Sequence, residues 1–384
     1  MRIAEECFNQ GEWYPMAEHV TADYIWAPGF INYLIVQLKL FGTLHFNMIL
    51  NLILQMAILW LIYKIGIYFF SKQTARIGII LWCLLYSNWL VVAPAGTEIP
   101  FLFLCLSGFY LILHPKLSFY MIAGILFAVA NWIRPIMIIF LLTAVIFMVW
   151  KKTNWKYYAV LIFSLAVSIG FIGKTTEKRF GYFVYQSTTG GVNLIMTSND
   201  KAYGGVASSV MTDPDNIAYI PEKGLLTFQQ KDSIWKARSV EWILENPGKA
   251  SWLYLKKIVG LYVEDSWADR PLLGGHGMID SYVVAGKISK QQFVLQVISR
   301  VLKSFAYYIV MIIFLYTIYK QRKKIFTFPY LILLSLLAIG TAITCLLAVS
   351  PRYHYPFLFV IVLFAAFGIE NYIKEKKNRQ QSSN

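Results

Sequence analysis

Charged side chains are scarce in this sequence: Asp, Glu, Lys and Arg make up 14% of its 384 residues, against 58% hydrophobic ones. Soluble domains carry about 25% charged residues, so this composition excludes an ordinary soluble domain and predicts a membrane protein with several spans. The net charge of +15 would suggest nucleic acid in a soluble domain. Here many cations stand in short stretches between apolar runs, where membrane topology explains them, and we expect no nucleic-acid partner.

Cysteine is also scarce, and the motifs of common catalytic sites are missing. Three of the four cysteines, Cys83, Cys105 and Cys345, lie within apolar runs, which predicts buried thiols rather than a disulfide framework or a metal site. Single histidines such as His276 and His354 lack the spacing of metal ligands. The sequence contains no P-loop, no Gly-x-Ser-x-Gly and no His-Glu-x-x-His. We expect no metal site and no required cofactor, and whether a divalent metal assists stays open.

Nine apolar runs are long enough, or nearly long enough, to cross a bilayer as helices. The two weakest are separated by Arg134-Pro135, and each extends roughly 23 Å at the helical rise. The sequence therefore predicts about nine transmembrane helices. The runs cover residues 46–69, 77–93, 98–114, 118–133, 136–150, 157–173, 304–319, 328–349 and 355–370.

Five basic clusters decide the predicted orientation. If all are cytoplasmic, an even number of spans separates each cluster from the next, which requires two spans between Lys116 and Lys151. We therefore predict a multi-pass protein of the plasma (inner) membrane with a cytoplasmic C-terminus. The clusters are Lys72 and Arg76; Lys116; Lys151, Lys152 and Lys156; Lys320, Arg322, Lys323 and Lys324; and Lys374, Lys376, Lys377 and Arg379.

This topology divides the chain into five parts. Residues 1–45 form an outer loop with an interfacial helix, and residues 46–173 hold six transmembrane helices. Residues 174–303 form a large extracytoplasmic domain, residues 304–370 hold three transmembrane helices, and residues 371–384 are a cytoplasmic basic tail. The acidic outer loop would cross the membrane with no span ahead of it, so we expect a further span upstream.

Local patterns predict the structure of the two outer parts. Residues 186–205, rich in Gly, Ser, Thr and Asn, predict turns and short strands. Residues 228–245 and 249–263 predict helices, and in the first loop a helical pattern from 30–40 ends at Gly42. The predicted fold class is an all-α polytopic membrane protein with a mixed α/β extracytoplasmic loop domain.

The predicted spans carry no charge near their middle, which disfavours an ion-coupled transporter. Charges stand at the outer surface instead: Arg352 beside Tyr353, and Arg134 before Pro135. A guanidinium fork donates two hydrogen bonds to a phosphate, so we predict that Arg352, Tyr353 and Arg134 bind a lipid-linked phosphate. Glu98 would orient an acceptor or pair with an arginine. Structural arginines at helix ends and a plain interfacial glutamate stay open as alternatives.

Two acidic groups are weaker candidates. The Asp213-Pro214-Asp215 stretch spells the Asp-x-Asp of soluble glycosyltransferases, but its central proline favours a surface turn. Glu264, Asp265 and Asp269 stand beside Arg270. They could face a sugar, and we favour a solvated cluster.

A series of short motifs carries a resemblance to a known family. They are Gly11-Glu12-Trp13-Tyr14-Pro15, Trp26-Ala27-Pro28-Gly29-Phe30, Leu40-Phe41-Gly42, Thr97-Glu98, Gly124 through Asn131-Trp132-Ile133-Arg134-Pro135, Gly190-Gly191-Val192-Asn193-Leu194, Glu245-Asn246-Pro247 and Arg352-Tyr353. In this order, over nearly the whole chain, they resemble the GT-C integral-membrane glycosyltransferases. The resemblance is strongest to the dolichyl-phosphate-mannose protein mannosyltransferases and the bacterial aminoarabinose transferases.

The resemblance implies transfer of a sugar from a polyprenyl-phosphate-linked donor to a glycan, lipid or protein acceptor on the extracytoplasmic face, among membrane lipids. Asp23 and Trp26 join Glu98 as outer-face residues that contact the acceptor or support the loop. The family's proposed catalytic base, an aspartate, would stand before Met1, so no catalytic residue is assigned. Two alternatives stay open: a transporter or flippase of lipid-linked saccharides, and a catalytically inactive truncated relative.

Overall fold

The computed structural model describes residues 1–269 and 288–382, so Arg270 and His276 lie outside the described residues. The fold is 75% helical. In chain order the α-helices of the described residues are α1 (Arg2–Asn9), α2 (Pro28–Phe41), α3 (Asn47–Phe69), α4 (Lys72–Leu84), α5 (Tyr86–Leu90), α6 (Glu98–Ile112), α7 (Leu117–Ile133), α8 (Ile138–Trp150), α9 (Trp155–Phe180), α10 (Gly190–Ile195), α11 (Phe228–Glu245), α12 (Pro247–Tyr262), α13 (Lys290–Lys303), α14 (Phe305–Lys320), α15 (Arg322–Ile325), α16 (Tyr330–Leu346) and α17 (Leu358–Ser382). Short 3-10 helices cover Ala17–Thr21, Ser208–Thr212, Lys223–Leu225, Trp267–Asp269 and Pro351–Phe357.

Local sequence signals explain where several helices begin and end. Helix α2 ends at Gly42, which adopts the left-handed region at φ +68, a conformation that glycine reaches without steric cost. Thr227 caps α11, because its side chain accepts from the Gln230 amide while the Gln230 side chain accepts from the Thr227 amide. Pro247 ends this helix and starts α12 at its first position. These helix positions agree with the prediction from sequence.

Three helices of the described residues are long and apolar enough to cross a membrane, which indicates a membrane protein. They are α3, α9 and the continuous stretch Pro351–Ser382; helices α13 and α14 would add a fourth span if the pair, bent by 57°, is one crossing. Helices α6, α7, α8 and α16 are apolar but shorter, with 13 to 17 residues each. The prediction of about nine transmembrane helices is therefore wrong by this measure.

Two features of the structure separate the apolar runs from the membrane spans that they predict. The run 77–93 breaks at Leu85, whose backbone is extended, and Asn88 Nδ2 donates to the carbonyl of Trp82 at 3.0 Å beside the break. The runs of α6, α7, α8 and α16 form helices of only 13 to 17 residues. The last run does form a candidate span, although every residue from Leu358 to Phe367 is buried in the protein.

The basic clusters lie together at one end of the helix bundle. Helix α7 starts directly after Lys116 at this end and extends roughly 25 Å to Arg134, so Arg134 marks the opposite end. The contacts that join the clustered end are Ser71 with Glu370 (2.5 Å), Lys320 with Glu375 (2.6 Å), the Tyr157 hydroxyl with the Pro115 carbonyl (3.2 Å), and the rings of Trp150 and Phe328 (5.7 Å between centroids).

The predicted mixed α/β loop domain is wrong, because the described residues contain no β-strand. The only pairing between extended residues there is an isolated parallel bridge between Gly205 and Val349. Where strands were expected, Gly190–Ile195 forms α10, and Val192 and Ile195, three residues apart, pack with Trp235 of α11 in a small core. The glycine-rich start lets this helix pack closely against α11, and helical spacing then buries its apolar face.

Candidate functional site

A cavity of about 550 Å³ lies at the end of the bundle opposite the basic clusters. Its walls come from segments far apart in sequence: the loop before α2, the start of α6, the link between α7 and α8, residues 183–196, one face of α11, and the turn from α16 into the Pro351–Phe357 helix. A site assembled from so many segments depends on the whole fold and suits a ligand of several chemical groups.

An ion pair forms one wall of the cavity. Arg134 Nη1 lies 3.2 Å from Glu98 Oε1, and both side chains are buried. Arg134 directly follows the last turn of α7, and Glu98 is the first residue of α6. Position 96 favours glycine, because a Cβ there would lie 2.6 Å from Glu98 Oε2. Burial lowers the pKa of Arg134 below its ordinary value, and the Glu98 carboxylate opposes this shift.

Tyr353 lies between two guanidinium groups in the same wall. Its ring centroid is 4.9 Å from the Arg134 guanidinium carbon and 5.2 Å from that of Arg352, distances that allow cation–π attraction. Arg352 Nη2 also lies 3.5 Å from the Tyr353 hydroxyl, while the rest of the Arg352 side chain is exposed. The aromatic ring holds the two cations at one edge of the cavity.

Helix α11 contributes a second ion pair to the lining, which sequence reasoning missed. Asp232 Oδ2 lies 2.5 Å from Lys236 Nζ, and Asp232 Oδ1 accepts from the Gly191 amide at 2.6 Å. A Cβ at position 191 would lie 2.8 Å from Asp232 Oδ1, so the approach of α10 to α11 requires a small residue. The paired glycines Gly190-Gly191 are the sequence signal that could have pointed to this contact.

The cavity walls therefore hold three cations and two carboxylates. Glu98 neutralises Arg134 and Asp232 neutralises Lys236. Arg352 has no carboxylate within ion-pair distance among residues 1–269 and 288–382. Among the described residues, the lining of the cavity consequently carries a net charge of one positive unit, which favours an anionic ligand.

The structure brings most of the predicted site residues together. Arg352, Tyr353, Arg134, Glu98 and Trp26 all line the cavity. The loop that carries Trp26 is joined to residues 183–196, because the Ile25 amide donates to Thr188 Oγ1 at 2.8 Å and the Thr188 amide donates to the Ile25 carbonyl at 2.9 Å.

Asp23 does not line the cavity. Its carboxylate lies 3.0 Å from Lys223 Nζ and 3.3 Å from Lys231 Nζ, on the far side of the loop that carries Trp26. Because Lys231 is buried and also donates to the Thr21 carbonyl at 2.6 Å, this group fixes the first loop onto α11. Asp23 thus takes part in the contacts that hold the first loop in place.

The two acidic groups of the sequence behave differently. Asp213, Pro214 and Asp215 form a turn at the surface, as predicted, and Asp213 pairs with Lys201. The expectation of a solvated cluster at Glu264, Asp265 and Asp269 is wrong, because all three are buried. The charge of Asp269 is balanced by Arg300 and Lys303 at 2.6 Å each, and Asp265 faces His354.

Metal-ligating side chains do not converge in the part of the chain that the structure describes: it contains no group of three or more His, Cys, Asp or Glu residues that could hold a metal ion. Comparisons with protein-family models, with curated proteins and with solved structures find no match to this chain. The function must therefore be argued from the geometry of the cavity.

Proposed function

We propose that the protein is a membrane glycosyltransferase that moves a sugar from a polyprenyl-phosphate-linked donor to an acceptor. The observation that carries this proposal is the cavity with the uncompensated charge of Arg352 at the start of a long apolar helix. A donor of this class combines an anionic phosphate, a polar sugar and an apolar tail, and it needs a charged pocket beside a membrane.

Arg352 and Tyr353 are the proposed phosphate ligands, and Arg134 supports them. The exposed guanidinium of Arg352 can present a fork of donors to phosphate oxygens. Arg134 is neutralised by Glu98 at 3.2 Å, so its role is to hold the Tyr353 ring beside Arg352. As the bond to the sugar breaks, negative charge grows on the departing phosphate, and the fixed guanidinium of Arg352 would stabilise it.

The other walls suit a sugar and its acceptor. Aromatic side chains of Tyr24, Trp26 and Tyr185 line the cavity and can stack against a sugar ring. Transfer requires a base that takes the proton of an acceptor hydroxyl or amine. Among the described residues, the carboxylates that line the cavity are Glu98 and Asp232. Each is held in place by an ion pair, and in this position it would orient an acceptor.

We propose that the cavity faces the extracytoplasmic side. The basic clusters gather at the opposite end of the bundle, and such residues concentrate on the cytoplasmic side of membrane proteins. In this orientation the C-terminus is cytoplasmic and residues 174–303 lie outside the plasma (inner) membrane, next to the lipid-linked donor.

The experiment that tests this function reconstitutes the protein in liposomes with a panel of polyprenyl-phosphate sugars and measures sugar transferred to added glycan, lipid or peptide acceptors. We expect transfer by the wild-type protein and its loss in Arg352→Ala. Lys256→Ala is the matched control, since Lys256 is exposed on α12, where its ammonium lies 5.5 Å from the Trp252 ring and outside the cavity. Movement of the lipid-linked sugar between leaflets without transfer would instead indicate a flippase.

A further inference from the structure

His354 lies two residues after Arg352 in the Pro351–Phe357 helix, but it is fully buried rather than exposed to the cavity. Its imidazole stacks between two tyrosine rings, with centroids 5.9 Å from Tyr262 and 5.3 Å from Tyr307. The interplanar angles are 21° and 18°. The ring therefore has one orientation, and both of its nitrogens face fixed partners.

The two partners of this ring are both oxygen atoms. His354 Nδ1 lies 2.8 Å from the Leu261 carbonyl, and Nε2 lies 3.4 Å from Asp265 Oδ1. A carbonyl oxygen only accepts, so Nδ1 carries a proton. Nε2 then meets the carboxyl oxygen attractively only if a second proton lies between these two atoms. Without that proton, lone pairs face each other either between Nε2 and Asp265 Oδ1 or between Nδ1 and the Leu261 carbonyl oxygen.

Asp265 is as buried as the histidine, and its other oxygen, Oδ2, has no hydrogen-bond partner among the described residues. Among the described residues, His354 is the basic side chain that lies within ion-pair distance of Asp265. A buried carboxylate with no proton and no cation nearby would be strongly disfavoured. The burial of Asp265 thus gives an independent reason for the proton.

We infer that His354 and Asp265 share one proton and that this protonated pair positions Arg352 and Tyr353 at the cavity, an inference that rests on the proposed function. The pair anchors the Pro351–Phe357 helix to the Leu261 carbonyl and to the loop after α12. Displacement of a binding group by about 1 Å strongly weakens its contribution. His354 and Asp265 are positioning residues, since they act through Arg352 and Tyr353.

The tyrosines and the aspartate nearest the pair have partners of their own. The nearest tyrosines, Tyr262 and Tyr307, keep their hydroxyls in hydrogen bonds to Thr341 and to the Tyr262 carbonyl, at 2.6 and 3.0 Å. Asp269 is paired to two cations. The titratable groups on the elements packed against the Pro351–Phe357 helix include Tyr254, Lys256, Lys257 and Tyr262 of α12, Glu264, Asp265 and Asp269 of the following segment, Tyr307 and Tyr308 of α14, Cys345 of α16 and Glu98 of α6.

The test compares Asp265→Asn with Asp265→Ala. The asparagine amide can donate to a neutral Nε2, so it replaces the shared proton, while alanine leaves Nε2 without a partner. The readout is the affinity for a polyprenyl phosphate without sugar, measured in nanodiscs at one fixed pH for all three proteins.

Asp265→Asn should bind the polyprenyl phosphate as the wild type does, and Asp265→Ala should bind it about tenfold more weakly. Equal weakness of the asparagine and alanine variants would overturn the inference, and so would wild-type affinity in Asp265→Ala.

Two measurements without ligand separate this inference from the proposed function. Nitrogen-15 NMR of labelled histidine, assigned by the signal lost in His354→Gln, should show hydrogen-bonded protons at both ring nitrogens. Amide exchange of residues 350–357 should rise in Asp265→Ala and not in Asp265→Asn. If polyprenyl phosphate does not bind at all, the proposed function fails while these results still decide the role of the pair; an Nε2 with no proton between it and Asp265 would refute it.

Discussion

The buried ion pair between Glu98 and Arg134 is expected to stabilise the cavity wall, and a double-mutant cycle measures by how much. Removal of one partner from a buried pair costs about 3–5 kcal/mol, because the other charge stays buried without compensation. Both side chains border a cavity that water enters, so we expect the lower end, about 3 kcal/mol, for Glu98→Gln or Arg134→Gln. The double variant leaves no unpaired charge and should cost less than the sum of the two.

The assay is chemical unfolding of the purified protein in detergent, followed by tryptophan fluorescence. A coupling energy of at least about 1.5 kcal/mol between Glu98 and Arg134 is expected, since residues in direct contact couple by about 0.5–3 kcal/mol. Single variants within about 0.5 kcal/mol of the wild type, with additive effects in the double variant, would show that water screens the pair and would refute this reasoning.

Two further predictions concern stability. Burial lowers the pKa of Lys257 from its ordinary 10.5 to about 8, so at this residue the unfolded chain binds more protons between these two values. The stability of the wild type relative to Lys257→Met should therefore rise by about 3 kcal/mol as the pH passes from about 8 to about 10.5. Unfolding titrations of the two proteins measure this difference, and parallel pH curves would contradict the prediction. A Cβ at Gly29 would lie 2.7 Å from the Trp132 carbonyl carbon, so Gly29→Ala should destabilise the packing of α2 on α7 by about 1–3 kcal/mol. Gly170→Ala is the control, because no atom lies within 4 Å of a Cβ there, and equal effects of the two changes in thermal unfolding would exclude the close approach as the cause.

The sequence predicted the helices whose ends carry local signals. Gly42 ends α2 and Pro247 separates α11 from α12, and the structure places both boundaries accordingly. It also singled out residues that prove to be neighbours: Arg134, Arg352 and Glu98 are far apart in the chain and line one cavity. The useful signal was the position of these charges at the ends of predicted spans, because a charge at a span end needs a partner or a ligand.

The remaining features depend on long-range packing that the sequence does not display. An apolar run reads the same whether lipid or protein surrounds it, so the break at Leu85 and the burial of 358–367 were missed. Asp265 was expected in solvent, because nothing in the sequence shows that His354, 89 residues later, faces it. Asp232 belongs to an ordinary helical pattern, and only the fold brings it to the cavity.

The most direct test of the account is the affinity of the purified protein for a polyprenyl phosphate, compared among wild type, Arg352→Ala and the control Lys256→Ala. A hydrogen bond to a charged group contributes about 1.5–3 kcal/mol, which corresponds to a loss of about 10-fold to 150-fold. We predict a loss of this size in Arg352→Ala and wild-type affinity in Lys256→Ala. Equal binding by all three proteins would contradict the claim that the uncompensated charge of Arg352 holds the donor phosphate.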